Sequence, residues 1–150
     1  MSTSTSLHEA WDEARTRFSN QLSQLNEADL KKKIATNSNS IGFLIRHIGD
    51  IELLFAKNVF GDSHVSVRAK TIIDQKDSGE WNNLNELLLY VENSYDALKA
   101  IISQQSEVNW GEIIVTKEFG SKTKAEALGR IISHTSYHAG QLALIKKYGS

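Results

Sequence analysis

Four stretches of this 150-residue chain repeat apolar side chains at intervals of three and four, and no proline interrupts any of them. Proline removes an amide donor and breaks a helix interior, so its complete absence leaves long helices free to form. Apolar residues at that spacing line one face of an α-helix, and a helix with one apolar face must bury it against another element. Leu7, Trp11, Ala14, Phe18, Leu22 and Leu25 form the first stripe, with Glu9, Asp12, Arg15 and Arg17 placed outside it. Ser6 and Glu9 have capping-box spacing, so the first helix is expected to begin after Ser6. The second stripe, Ile41, Leu44, Ile48, Ile51, Leu54 and Phe55, follows the polar cluster Thr36 to Ser40, with Ser40 as N-cap, and is expected to end about Phe60, before Gly61. The third, from about Asn82 to Gln104, carries Leu84, Leu87, Leu88, Val91, Tyr95, Leu98, Ile101 and Ile102. Thr123 and Glu126 repeat the capping-box spacing and open the last helix, which includes Ala125 to Tyr148. An all-α four-helix bundle, one domain over residues 1–150, is the architecture these stripes predict. Gly61 to Glu80 is irregular and long enough to be a crossover connection, and Ser106 to Thr123 reads as an extended loop or small hairpin.

The last helix carries the chemistry. At 100° per residue with His134 at zero, Ala127, Ile131, His138, Leu142 and Ile145 fall between about 20° and 80°. Both imidazoles therefore lie within the apolar stripe. A buried polar ring left unsatisfied costs about 1–3 kcal/mol, so each needs a partner. A hydrogen bond inside the core is one solution, and a divalent metal is another. His47, at the edge of the second stripe, also points inward. Three imidazoles from two helices suit Zn, Ni, Cu or Fe and leave a coordination position open, which is the pattern of catalytic sites. HTSYH lacks a Glu after its first His, so it is not the zinc-protease HExxH motif, and no paired ExxH supports a ferritin-like di-iron site. His8 reads as a solvated first-turn residue and His64 as a surface-loop residue. Asp50 and Gln141, each one turn from a candidate ligand, could orient an imidazole's second nitrogen. Asp50 is expected to be solvated instead, while Gln141 is balanced between that role and a simple helix contact. Tyr95 and Tyr137 are expected in packing rather than against a substrate.

Composition removes other functions. Lys and Arg total 17 against 18 Asp and Glu, so no basic excess points to nucleic acid and no charge block to a membrane surface. Cysteine is absent, which excludes disulfides, thiolate metal sites and a cysteine nucleophile. MSTSTS lacks the basic and apolar regions of a secretion signal, and no apolar run approaches the roughly 20 residues of a membrane span, so a cytoplasmic protein is expected.

The segment SIGFLIRHIGDIELLF, followed much later by ISHTSYHAGQLALIKKYG, resembles the DinB-like superfamily, including its YfiT-type metal-dependent hydrolases. The resemblance extends over most of the chain, through helix order, the second-helix His and the final HxxxHxGQ. It implies a four-helix bundle in which three histidines hold a divalent metal, and the matching positions here are His47, His134 and His138. It also implies a hydrolase or a thiol-dependent transferase or isomerase using mycothiol or bacillithiol, with Zn or Ni as first choice of metal and Fe or Mn next. The superfamily name implies no DNA binding. Relatives often carry a basic residue after the second motif His where this chain has Ala139, which puts an anionic substrate and the thiol-transferase role in doubt. A non-catalytic metal or small-ligand binding bundle is the alternative reading, and a purely structural bundle the third. The small, nearly uncharged faces behind the histidines, Gly129, Ser133, Ser136, Gly140, Ala143 and Leu144 on the last helix and Ile45, Gly49, Leu53 and Ala56 on the second, are expected in a homodimer contact, or else under the chain's own loops.

Overall fold

In the computed structural model, which describes all residues from Met1 to Ser150, the stripes become helices. Helix α1 spans Thr3–Leu22 and α2 spans Ile41–Leu54, continuing as a π-helical turn over Phe55–Val59. A short α3, Lys70–Ile73, lies in the crossover, followed by α4, Leu84–Ser103. Strands β1, Ile113–Thr116, and β2, Gly120–Thr123, pair antiparallel with Ile113 opposite Thr123. Helix α5 closes the order at Lys124–Tyr148. The four long helices make the expected bundle, and no helix is long and apolar enough to cross a membrane.

The caps explain most boundaries. Ser40 accepts from the Phe43 amide at the start of α2, and Thr123 and Glu126 form the reciprocal capping box of α5. Helix α1 begins four residues earlier than its sequence suggests. Ser2 caps it, and the Glu107 carboxylate accepts from the amides of Thr3 at 3.1 Å and Ser4 at 2.9 Å. That long-range carboxylate satisfies first-turn amides that no local residue reaches.

Helix α2 is the hub, with ten of its fourteen residues buried. Its apolar residues divide between two clusters. One holds Phe18, Leu30, Ile41, Leu44, Ile48, Val91 and Leu142, and the other Trp11, Ile51, Phe55, Leu98, Ile102, Leu128 and Ile131. Between the clusters, each long helix inserts buried polar side chains: Arg15 on α1, Asp50 and Glu52 on α2, Ser94 on α4 and Thr135 on α5. Arg15 is thus in the core and not outside the stripe. Its guanidinium bonds both Glu52 carboxylate oxygens, at 2.9 and 3.0 Å, and the Val91 carbonyl, while Ser94 donates to Glu52. A buried charge needs such complete pairing.

At Gly49 the second face of α2 packs against α4 of the same chain. A Cβ placed on Gly49 would sit 2.6 Å from the Tyr90 ring, so the glycine is what permits the two helices to approach. The corresponding face of α5 is exposed, and nothing lies within 4 Å of a Cβ built on Gly129 or Gly140.

Candidate metal centre

His134 and His138 are one turn apart on α5, so their rings meet at 4.5 Å between centroids and nearly at right angles. The His47 ring, on α2, lies 5.0 Å from each. One nitrogen from each of the three lies within 4.8 Å of the other two, and all three side chains are partly buried. The closest approach is 3.0 Å, between His47 Nε2 and His134 Nε2.

Outer partners set the tautomers. Thr71, brought in by α3, donates its hydroxyl to Asp50 Oδ2 at 2.7 Å. Its oxygen therefore accepts from His47 Nδ1–H at 3.0 Å, which leaves the lone pair of His47 on Nε2, facing the other rings. The Gln141 carbonyl, 2.6 Å from His138 Nδ1, accepts a proton there and leaves the His138 lone pair on Nε2. His134 Nδ1 is buried without any partner. With the His47 lone pair on Nε2, His134 Nε2–H is the donor of the 3.0 Å bond between them, so the one polar contact of the His134 ring is another imidazole.

Burial and mutual proximity also keep the rings neutral. Burial, reinforced by His138, lowers the His47 pKa to about 4, against the opposing pull of Asp50. Burial and then the other two imidazoles lower that of His134 to about 3. Burial lowers His138 as well, partly offset by its bond to Gln141. Metal ligation requires unprotonated imidazole, which is the charge state of all three rings at neutral pH; His47 and His138 present Nε2 lone pairs, and His134 has only to move its proton from Nε2 to its free Nδ1. Three neutral nitrogens, two with their outer N–H groups tied, fit a divalent cation of the zinc or nickel type.

Asp50 is fully buried, not solvated. Besides both Thr71 groups it accepts from Arg46 Nε at 2.9 Å and from the Tyr90 hydroxyl. Thr71 itself carried no sequence signal, because it belongs to the irregular crossover and reaches His47 only through the fold. His8 is partly buried beside Trp11, with Nε2 unpartnered, so it is not a solvated residue. It lies on α1, outside the histidine group. His64 is exposed in its loop. Tyr95 stacks on Trp11 at 5.3 Å and bonds Asp12, a packing role, whereas the exposed Tyr137 ring lies 5.2 Å from that of His138. Ala139 is buried in the apolar cluster that holds Leu142 and Ile145.

The sequence profile of the DinB superfamily matches residues 10–142, which takes in all three histidines. The chain belongs to the DinB superfamily. No curated protein sequence matches it. Among solved DinB-like structures, the mycothiol-dependent maleylpyruvate isomerase superposes with a TM-score of 0.71 at 19% identity, over 93% of this chain and 60% of the isomerase. This chain thus spans about three fifths of that enzyme's length. A conserved protein from Enterococcus faecalis superposes with a TM-score of 0.69 at 19% identity, over 99% of this chain and 97% of its own. At these identities the likeness establishes the DinB fold alone.

Proposed function

We propose that this DinB-superfamily chain is a metal-dependent enzyme acting on a small molecule, as a hydrolase or a thiol-dependent transferase. His47, His134 and His138 hold one divalent cation, zinc or nickel before iron or manganese. The observation that carries the reading is the convergence of three neutral imidazoles whose donors lie within 4.8 Å of one another. A cation held there supplies Lewis acidity to a substrate group at its open position. The chain's own residues orient and insulate. Thr71 and Gln141 fix the lone pairs of His47 and His138, and Asp50 holds Thr71 in place. The thiol-dependent option draws on the isomerase named above, whose fold this chain shares over part of its length.

The second reading, a non-catalytic metal or ligand binding module, is favoured by one specific observation. No carboxylate joins the three-histidine group, and Asp50 is committed to four hydrogen bonds, leaving no free general base. Purified, metal-replete protein tested against esters, amides and thiol conjugates separates the two. The enzyme reading predicts turnover that disappears in His138→Ala; no turnover with any class leaves the binding module.

As part of the same reading, residues 1–150 act as one cytoplasmic domain that pairs as a homodimer through the exposed face of α5. Light scattering that returns the mass of one chain, 16.8 kDa, would remove the dimer.

A further inference from the structure

A cleft opens beside the histidines, one turn along both helices that carry them. It measures about 350 Å³, within the usual range of small-ligand sites, and is lined by Ile34, Asn37, Asn39, Leu44, Gln141 and Leu144 among others. Leu44 lies three residues before His47 on α2, and Gln141 three after His138 on α5. Gln141 is therefore shared. Its carbonyl oxygen is spent on His138, while its amide N–H groups have no partner in the protein. The Asn37 and Asn39 carboxamides are exposed on the cleft rim.

The cleft contains no charged side chain. Lys33 and Lys76 line a second cleft, which shares Asn37, Ser38 and Asn39 with this one, and there Lys33 pairs with Asp77 at 4.0 Å. The loop is also pinned. Lys33 exchanges two backbone hydrogen bonds of 3.1 Å with Ser150, Ser38 bonds back to Ala35, and Asp77 accepts from the Ser40 amide. The wall is thus formed before a ligand arrives, which lowers the cost of binding.

We propose that this cleft binds the substrate of the adjoining centre, and that the substrate is an uncharged molecule with a compact aliphatic body and a carbonyl acceptor. Ile34, Leu44 and Leu144 take the aliphatic part, and Gln141 donates to the carbonyl while still accepting from His138. In the cleft itself an anionic head meets no positively charged side chain and loses its water without compensation. This substrate class rests on the enzyme reading above, although ligand binding in the cleft does not require the cation.

The test is a nitrogen-15 NMR titration of the full-length protein, zinc-loaded and metal-free, with hexanamide, hexanoate and hexylamine. These probes share a six-carbon body and differ in the charge of the head. Hexanamide is expected to shift Asn37, Asn39, Leu44, Gln141 and Leu144 resonances saturably in both forms, with the two charged probes binding at least about tenfold more weakly to the metal-free protein. Gln141→Glu keeps an acceptor for His138 and removes the amide donors, so it should weaken hexanamide about tenfold while the spectrum stays folded. Absence of saturable shifts at these residues, equal binding of hexanoate by the metal-free protein, or unchanged binding by Gln141→Glu overturns the proposal. Protein that binds hexanamide but no zinc would instead sink the metal reading alone, and protein that binds zinc but not hexanamide would sink the cleft alone.

Discussion

Thr71→Val isolates the contribution of the crossover to the histidine centre. Valine has nearly the shape of threonine, and Thr71 is only 4% exposed, so the change removes a hydroxyl with little change of volume. Two bonds disappear together: the one Thr71 accepts from His47 Nδ1 at 3.0 Å and the one it donates to Asp50 at 2.7 Å. Asp50 keeps the Thr71 amide, Arg46 and Tyr90, so its loss is partial. His47 keeps no outer partner and is free to adopt the other tautomer, which turns an N–H toward the centre. A buried group left unpaired costs about 1–3 kcal/mol, which is the expected fall in stability of the metal-free protein in urea. Removing an outer partner of a metal ligand typically weakens binding about 10–100-fold, which is the expected rise in the zinc Kd measured by chelator competition. Thr71→Ser retains the hydroxyl and should stay close to the parent in both assays. If Thr71→Val binds zinc and unfolds as the parent does, the crossover does not orient His47 and the tautomer argument fails.

Three other perturbations probe the frame. Gly42→Ala places a Cβ 2.0 Å from the Trp81 backbone oxygen, and because backbone must move to relieve it, a loss of about 1–3 kcal/mol or more in urea unfolding is expected; an unchanged midpoint would contradict that packing. Arg15→Ala strands the buried Glu52 and should cost about 3–5 kcal/mol, whereas Arg15→Met with Glu52→Leu should recover most of it, as a double-mutant comparison would show. The metal-free protein should lose stability as pH falls from about 6.5 toward 3, because the unfolded chain takes up protons on histidines that the folded chain keeps neutral. For His47 alone, going from 6.5 to about 4, the loss is about 3 kcal/mol by pH 4. In His47→Ala with His134→Ala the fall between pH 6.5 and 4 should flatten, and an equally steep fall would place its origin elsewhere.

Much of this was legible along the chain because it is periodic and local. The four stripes, the Ser40 cap and the Thr123–Glu126 box depend on residues three or four apart, and they became the four long helices and two of their starts. The inward direction of His134 and His138 follows from the same period. What depended on distant partners was not legible. The true start of α1 is set by Glu107, about a hundred residues away, and Thr71 meets Asp50 only because the crossover folds back over α2. Arg15 and Asp50 misled for one reason: a charged residue reads as solvent-facing until its counter-charge is known. Arg15 in fact sits one turn from Trp11 and from Phe18, on the apolar face itself, which a stricter reading of the period exposes. The small residues of α2 mark a close approach, as glycines in helices often do, but the approaching element is α4 of the same chain.

Whether His47, His134 and His138 together hold a divalent cation is read by elemental analysis: plasma mass spectrometry of native-purified, untagged protein beside the variant His47→Ala, His134→Ala, His138→Ala. About one zinc or nickel per chain is expected, lost in the triple variant while the helical content is retained. Absence of metal, with no uptake of zinc, nickel or iron on titration, would return the three imidazoles to the status of core side chains.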